Sequence, residues 1–298
     1  MIHTITFILV TAAAAQAASS SNPYIPTDIS SGCSSFLSSL NTDTDLASCT
    51  TSLISASSSF GPGGNYSNGA SKAAVSSALS SICSSATASA CPQSLITGKL
   101  ASFYTSCGAE LTSSPSAGVK IIYDTFYSLL PLLSSVCAKD DSGDWCVLAS
   151  NATTDAKLAP AVNIASVSRR AESGSQTAYM PNAKTINDNN LLFLLLKGSL
   201  PKAQLCTTCT RNVLTNYISF EGSTNYAPGI AQSSLMSGQS ELYQGVVATC
   251  GADFLTSAVK AAGGLGQGSS KGQSGALSLR AGGLFASLGA LGVAVFML

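Results

Sequence analysis

Apolar residues recur at steps of three and four along most of this chain. Ile29, Cys33, Phe36, Leu37 and Leu40 form one stripe. Leu46, Cys49, Leu53 and Phe60 form another, and Val75, Ala78, Leu79, Ile82 and Cys83 a third. Such spacing puts one face of an α-helix into a core. The clearest helix runs through Leu95, Ile96, Leu100, Phe103, Tyr104, Cys107 and Leu111, with Pro92 at its start, where a missing N–H costs nothing. Val119, Ile122, Tyr123, Phe126, Tyr127 and Leu130 predict a further helix that Pro131 kinks or ends. Near the C-terminus, Leu205, Cys206, Cys209, Val213 and Tyr217 make one stripe; Leu242, Tyr243, Val246, Val247, Cys250 and Phe254 make another. The unbroken run Leu191–Leu196 predicts a helix apolar on every side, capped by Asp188 and either central or lining an apolar cavity. The cysteines lie on these apolar faces. The fold expected is therefore all-α: a disulfide-stapled helical bundle, or bundles, with disordered linker and termini.

The pattern lapses between 149 and 184. That stretch is polar, lacks an apolar period and contains Ser168-Arg169-Arg170-Ala171, so it reads as a flexible linker with a dibasic processing site. It separates an N-terminal cysteine-rich helical region, 18–148, from a C-terminal helical region, 185–262, expected to pack on the first. A faint internal echo links Cys107-Gly108-Ala109 with Cys250-Gly251-Ala252, at intervals too unequal to establish a duplication.

Both ends read as addresses. Ile5–Ala15 is an apolar run followed by Ala15-Gln16-Ala17, a small-x-small cleavage pattern, so residues 1–17 are expected to be a secretory signal peptide. Residues 263–283 are rich in Gly, Ser and Gln, and residues 284–298 are apolar to the last position. Small residues, a polar spacer and an apolar tail are the pattern of a glycosylphosphatidylinositol signal, with attachment expected at Ser274 or Gly268 and the tail removed.

Composition narrows the function. Lys+Arg and Asp+Glu both number 14, net charge is zero and charged residues are 9%, against roughly 25% in an average soluble domain. Mean hydropathy is +0.31. There is no clustered positive excess for nucleic acid. The single His is His3, inside the expected signal, which excludes Ser-His-Asp and Cys-His catalysis and histidine metal sites from the mature chain. No nucleotide-binding or nucleophile-elbow fingerprint occurs, and no cofactor or metal is expected. Among the carboxylates, Glu110, Asp124, Glu221, Glu241 and Asp253 could supply an acid–base pair, but each reads better as a solvated surface group. Asp140–Asp144 fails the calcium-loop pattern, and Trp145, the only Trp, is expected to pack on a neighbouring disulfide.

Ten cysteines behind a signal peptide read as disulfides: Cys33, Cys49, Cys83, Cys91, Cys107, Cys137, Cys146, Cys206, Cys209 and Cys250. Cys206 and Cys209 form a C-x-x-C without partners for a zinc site, so each is expected to bond elsewhere. Seven cysteines precede Arg169-Arg170 and three follow; with all ten paired in one molecule, at least one bridge crosses the linker. Asn65-Tyr-Ser67 and Asn151-Ala-Thr153 are N-glycosylation sequons, expected on exposed loops.

The layout resembles a fungal family of secreted, cysteine-rich, GPI-anchored cell-surface proteins of unknown function. The residues carrying the likeness are the signal Ile5–Ala17, the scattered ten cysteines, Leu205-Cys206-x2-Cys209, Arg169-Arg170, and the Ser/Gly spacer with its apolar tail. Hydrophobins differ in having adjacent Cys-Cys pairs, and the eight-cysteine haem-scavenging modules in being far shorter. The resemblance implies an extracellular location at the outer leaflet of the plasma membrane or the cell wall, with the GPI lipid and wall glucan as expected partners, and carries no activity over to this chain. The expectation is a non-enzymatic surface glycoprotein with a structural, adhesive or shielding role. Two alternatives stand beside it: a carrier of a small apolar ligand such as a lipid or sterol, resting on Leu191–Leu196, and a glycan-active enzyme using two carboxylates.

Overall fold

The computed structural model describes residues 24–60, 65, 70–149, 162–168 and 175–255. Helices α1 (Ser31–Leu40), α2 (Thr44–Ser57), α3 (Lys72–Ile82), α4 (Ser85–Ala90), α5 (Gln93–Leu111), α6 (Ala117–Val136) and α7 (Cys146–Ala149) come first. Strands β1 (Val162–Ser168) and β2 (Ser175–Pro181) follow. Helices α8 (Ala183–Asn189), α9 (Lys202–Leu205), α10 (Thr208–Ser223) and α11 (Gln239–Cys250) complete the order.

The helices begin where the sequence offers an oxygen to their free N–H groups. Ser30, Ser71, Ser84, Ser116 and Thr207 accept from the residue three places on, as do Asp43 and Asn182. Pro92 occupies the N-cap of α5, as its spacing predicts. Serine is a middling helix former, because its hydroxyl competes for the backbone. Here the hydroxyls turn inward along their own helices: Ser38 donates to the Ser34 carbonyl, Ser52 to Ser48 and Ser80 to Ser76.

α6 is the axis of the molecule. It buries Val119, Tyr123, Asp124 and Tyr127, and then every residue from Ser128 to Val136 except Ser134. Pro131 does not end it, contrary to one sequence expectation; the helix continues to Val136, with the Ser135 hydroxyl donating to the Pro131 carbonyl at 2.7 Å. α5 and α10 both pack on α6. An aromatic seam joins them: Phe103 meets Tyr123 edge-on at 5.2 Å, and Tyr127 meets Phe220 at 5.1 Å. One hydrophobic cluster runs from Cys33 through α6 to Val246 and Leu255, so the two helical regions share a single core.

Five disulfides staple this core: Cys33–Cys107, Cys49–Cys91, Cys83–Cys137, Cys146–Cys209 and Cys206–Cys250. Cys206 and Cys209 bond to different partners, as read from the sequence. The odd cysteine counts on either side of Arg169-Arg170 are resolved by one crossing bridge, Cys146–Cys209.

Two sequence readings need correction. The 149–184 stretch is not linker throughout: β1 and β2 pair antiparallel, from Val162 opposite Pro181 to Ser168 opposite Ser175, and α8 starts at Ala183. The strands escape a periodicity search because VNIASVS and SQTAYMP do not alternate cleanly. Leu191–Leu196 is central but not helical. Leu191–Phe193 form a single 3-10 turn, after which Leu194 and Leu195 adopt left-handed backbone at φ 52° and 65°. Asp188 lies inside α8 and caps nothing downstream; Asn190, itself left-handed, ends α8 and donates from Nδ2 to the Leu196 carbonyl at 2.7 Å. The Tyr217 hydroxyl donates to the Leu192 carbonyl at 2.7 Å, and its ring lies 4.6 Å from Phe193. Left-handed leucines cost about 1–2 kcal/mol each, which burial of this apolar knot offsets.

α11 approaches this knot closely at Gly198 and Gly245. A Cβ on Gly198 would sit 2.7 Å from the Glu241 carbonyl oxygen, and one on Gly245 would strike the Gly198 backbone. Gly245→Ala is therefore expected to destabilise the domain by about 2–3 kcal/mol. Gly108→Ala, with nothing within 4 Å of its Cβ, should be near neutral or stabilising; urea unfolding of the two variants beside the parent checks both.

Candidate functional site

The carboxylates divide into two kinds. Glu241 and Asp253 are exposed, as expected from the sequence. Glu110 and Asp124 are buried and Glu221 is half-buried, which corrects the surface reading for these three. Glu221 was legible in principle, since it falls four residues after Tyr217 and three after Ile218, on the apolar stripe of α10. Asp124 was less so, because α6 is buried well beyond one stripe.

Asp124 is wholly committed. The Tyr226 hydroxyl donates to Oδ1; the backbone N–H groups of Ser234 and Leu235 donate to Oδ2 at 2.5 and 3.1 Å. Three turns' worth of irregular chain after α10 are thereby tied to the central helix. Tyr127 adds a tie at the start of this segment, its hydroxyl donating to the Thr224 carbonyl at 2.5 Å. With both oxygens spent on the fold, Asp124 is an anchor rather than an acid facing a substrate. Burial raises its carboxyl to about 6, although Tyr226, Ser233, Ser234 and Leu235 all pull the other way.

Glu221 accepts from Gln239 Nε2 at 2.9 Å through Oε2, while its Oε1 and Gln239 Oε1 are buried with no hydrogen-bond donor. Burial pushes Glu221 up to about 7, with Gln239 opposing. Burial also raises Glu110, but the N–H of Ser30, 2.7 Å from Oε1, and the Ser30 hydroxyl outweigh it and leave the carboxyl below its usual range. Glu110 thus closes the N-terminus of α1, where a negative charge is favoured.

These shifts fix a pH dependence. Asp124 and Glu221 hold their protons more tightly in the folded state than at their ordinary values of 3.8 and 4.5. Between those values and about 6 and about 7 the native state carries more protons, so its stability falls as pH rises. The loss from pH 4 to pH 8 is expected to be on the order of 2–3 kcal/mol for each group. Glu221→Gln should remove its share and flatten the curve above pH 6. Urea unfolding at a series of pH values checks this; stability that rises from pH 5 to 8 would contradict it.

A polar depression of about 240 Å³, open to solvent, is lined by Asn187, Asp188, Asn190, Lys197, Gly198, Gly238 and Glu241. The buried carboxylates do not line it, and Asp188 is paired with Lys184 at 2.5 Å. Asp140 forms a self-contained turn, accepting from the Ser142 hydroxyl and the N–H groups of Ser142 and Asp144. Trp145 packs beneath Lys139, whose Nζ lies 4.4 Å from the ring centroid, and the two residues form an isolated antiparallel bridge. Asn65 is exposed in a turn. The other sequence-marked positions, Asn151, Arg169, Arg170, Gly268 and Ser274, lie outside the described residues, as do the signal-like 1–17 and the tail 284–298. Among the described residues, no cluster of three or more His, Cys, Asp or Glu could hold a metal ion, and no helix is long and apolar enough to cross a membrane.

Comparison with known proteins finds no matching family model, no matching curated sequence and no matching solved structure.

Proposed function

We propose that this chain is a non-enzymatic cell-surface glycoprotein, secreted and held by a glycosylphosphatidylinositol lipid, whose disulfide-stapled domain has a structural, adhesive or shielding role. The observation that carries the reading is the complete pairing of ten cysteines inside one helical core. Such bridges persist in an oxidising extracellular compartment and not in a reducing one. The exposed Asn65, the low charge and the apolar segments outside the domain at both ends support it. Asp124 and Glu110 accept from backbone N–H groups, and Leu191–Leu194 and Leu196 pack in the core. These placements favour the structural reading over the enzyme and carrier alternatives.

Phosphatidylinositol-specific phospholipase C should release the host-derived protein from membranes, and deletion of residues 284–298 should send it to the medium. A mature C-terminal peptide ending in Leu298 would defeat the anchor. The same preparation tests processing at Arg169-Arg170. Because Cys146–Cys209 spans that site, a cleaved domain should run as one species without reductant and as two chains with it. Two fragments that separate without reductant would contradict the pairing.

A further inference from the structure

The described chain leaves the domain at one defined end. α6 finishes there at Val136, α10 begins there at Thr208 and α11 finishes there at Cys250. Cys146–Cys209 and Cys206–Cys250 clamp these ends together. The Thr208 hydroxyl donates to the Asp141 carboxylate at 2.6 Å, and Asn212 Nδ2 donates to the Lys139 carbonyl at 3.1 Å. Leu255, the last described residue, follows directly on Phe254, whose ring lies 4.9 Å under the Arg211 guanidinium. The opposite end of α6 carries Gly118 against Tyr24 and Pro26, and Asp124 with Tyr226. α6 has 20 residues, which separates the two ends by about 30 Å.

We infer that the Lys139–Trp145 and Arg211–Phe254 end of the domain faces the lipid bilayer and rests on the zwitterionic headgroups of the outer leaflet. The inference rests on the anchor reading above. Gly268 and Ser274 lie 13 and 19 residues beyond Leu255, a reach of at most about 45–70 Å. A spacer leaving from this end presents this end to the membrane. Presenting the other would use up about 30 Å of that reach in running back along the domain. The chemistry of the end fits the headgroup layer. Trp145 and Phe254 are half-buried aromatic rings, each covered by an exposed cation, a combination suited to a boundary between apolar and wet. Lys139 and Arg211 stand among Asp140, Asp141, Asp144 and Asp253, two cations against four carboxylates, so the patch has no net attraction to anionic lipid, while its two exposed cations can meet the phosphate of phosphocholine.

Trp145 is the only Trp in the chain and serves as the probe. Host-derived protein with its lipid is reconstituted into phosphatidylcholine vesicles with or without headgroup-spin-labelled phosphatidylcholine. Trp145 emission should fall at least twofold in the labelled vesicles and recover on release by the phospholipase. The control places the probe on exposed Tyr104. Its neighbour Phe103 packs on Tyr123, which lies 13 residues before Val136, about 20 Å farther from the proposed membrane face. Tyr104→Trp in a Trp145→Phe background should lose less than a tenth of its emission. Equal quenching of the two probes, or an unquenched Trp145 on a membrane-held domain, overturns the orientation and leaves the anchor intact. A domain that never partitions into the vesicles overturns the anchor and the orientation with it.

Discussion

Asp124→Ala is expected to lower the unfolding free energy by about 3–5 kcal/mol, among the largest effects of any single substitution here. The truncation takes the acceptor from the Tyr226 hydroxyl and the Ser234 N–H and leaves the Leu235 N–H only the Ser233 hydroxyl, at 3.3 Å. Each stranded donor costs about 1–3 kcal/mol; part of this is recovered because no carboxyl need then be desolvated. Asp124→Asn keeps one oxygen for the two backbone donors and turns its amide toward Tyr226, which can rotate to accept. Its cost should be about 1–2 kcal/mol, and the low-pH gain in stability that Asp124 supplies should vanish with it. Urea unfolding of both variants at pH 5 and pH 8 measures this. An alanine variant within about 1 kcal/mol of the parent would mean that the segment 224–239 is held by something other than Asp124.

The second large effect concerns the widest loop. Cys33–Cys107 closes 74 residues, and removing it by Cys33→Ala with Cys107→Ala returns about 4 kcal/mol of loop-closure entropy to the unfolded chain. The calorimetric Tm should fall by roughly 10 °C or more for a domain of this size. Cys107 also marks a break in α5, at φ −121° and ψ 22°. The double alanine variant should show whether that break belongs to the bridge or to the Gly108 that follows. A Tm within 2 °C of the parent would show that the other four bridges already constrain the unfolded chain fully.

The helices were legible because their cause is local. The stripes through Leu95–Leu111 and Val119–Leu130 give α5 and the first three-quarters of α6, and the caps sit where Ser, Thr, Asp and Asn precede them. The split fate of Cys206 and Cys209 was legible by elimination, since no zinc partner existed. What escaped depends on tertiary partners. Leu191–Leu196 satisfies every local rule for a buried helix, and it is turned aside because Asn190 and Tyr217 take its carbonyls. Pro131 passes unpunished inside α6, where packing outweighs one missing hydrogen bond. The burial of Asp124 could not be read from a residue whose three donors lie more than 100 positions downstream.

The pattern of bridges also determines how far the domain can lengthen under load. A shortest covalent route from Tyr24 to Leu255 enters at Cys33, emerges at Cys107, runs back through α5 and α4 to Cys83, and crosses to Cys137 before reaching Cys146. It then crosses to Cys209, steps back to Cys206 and crosses again to Cys250. That is about 50 residues of backbone, or roughly 170 Å when taut, against roughly 790 Å for the same chain without crosslinks. The β1–β2 hairpin, the apolar knot and nearly all of α10 and α11 hang off this route as side loops that carry no tension. A pulled domain would stop short at about a fifth of its contour, its rupture strength then set by S–S bonds rather than by helix packing.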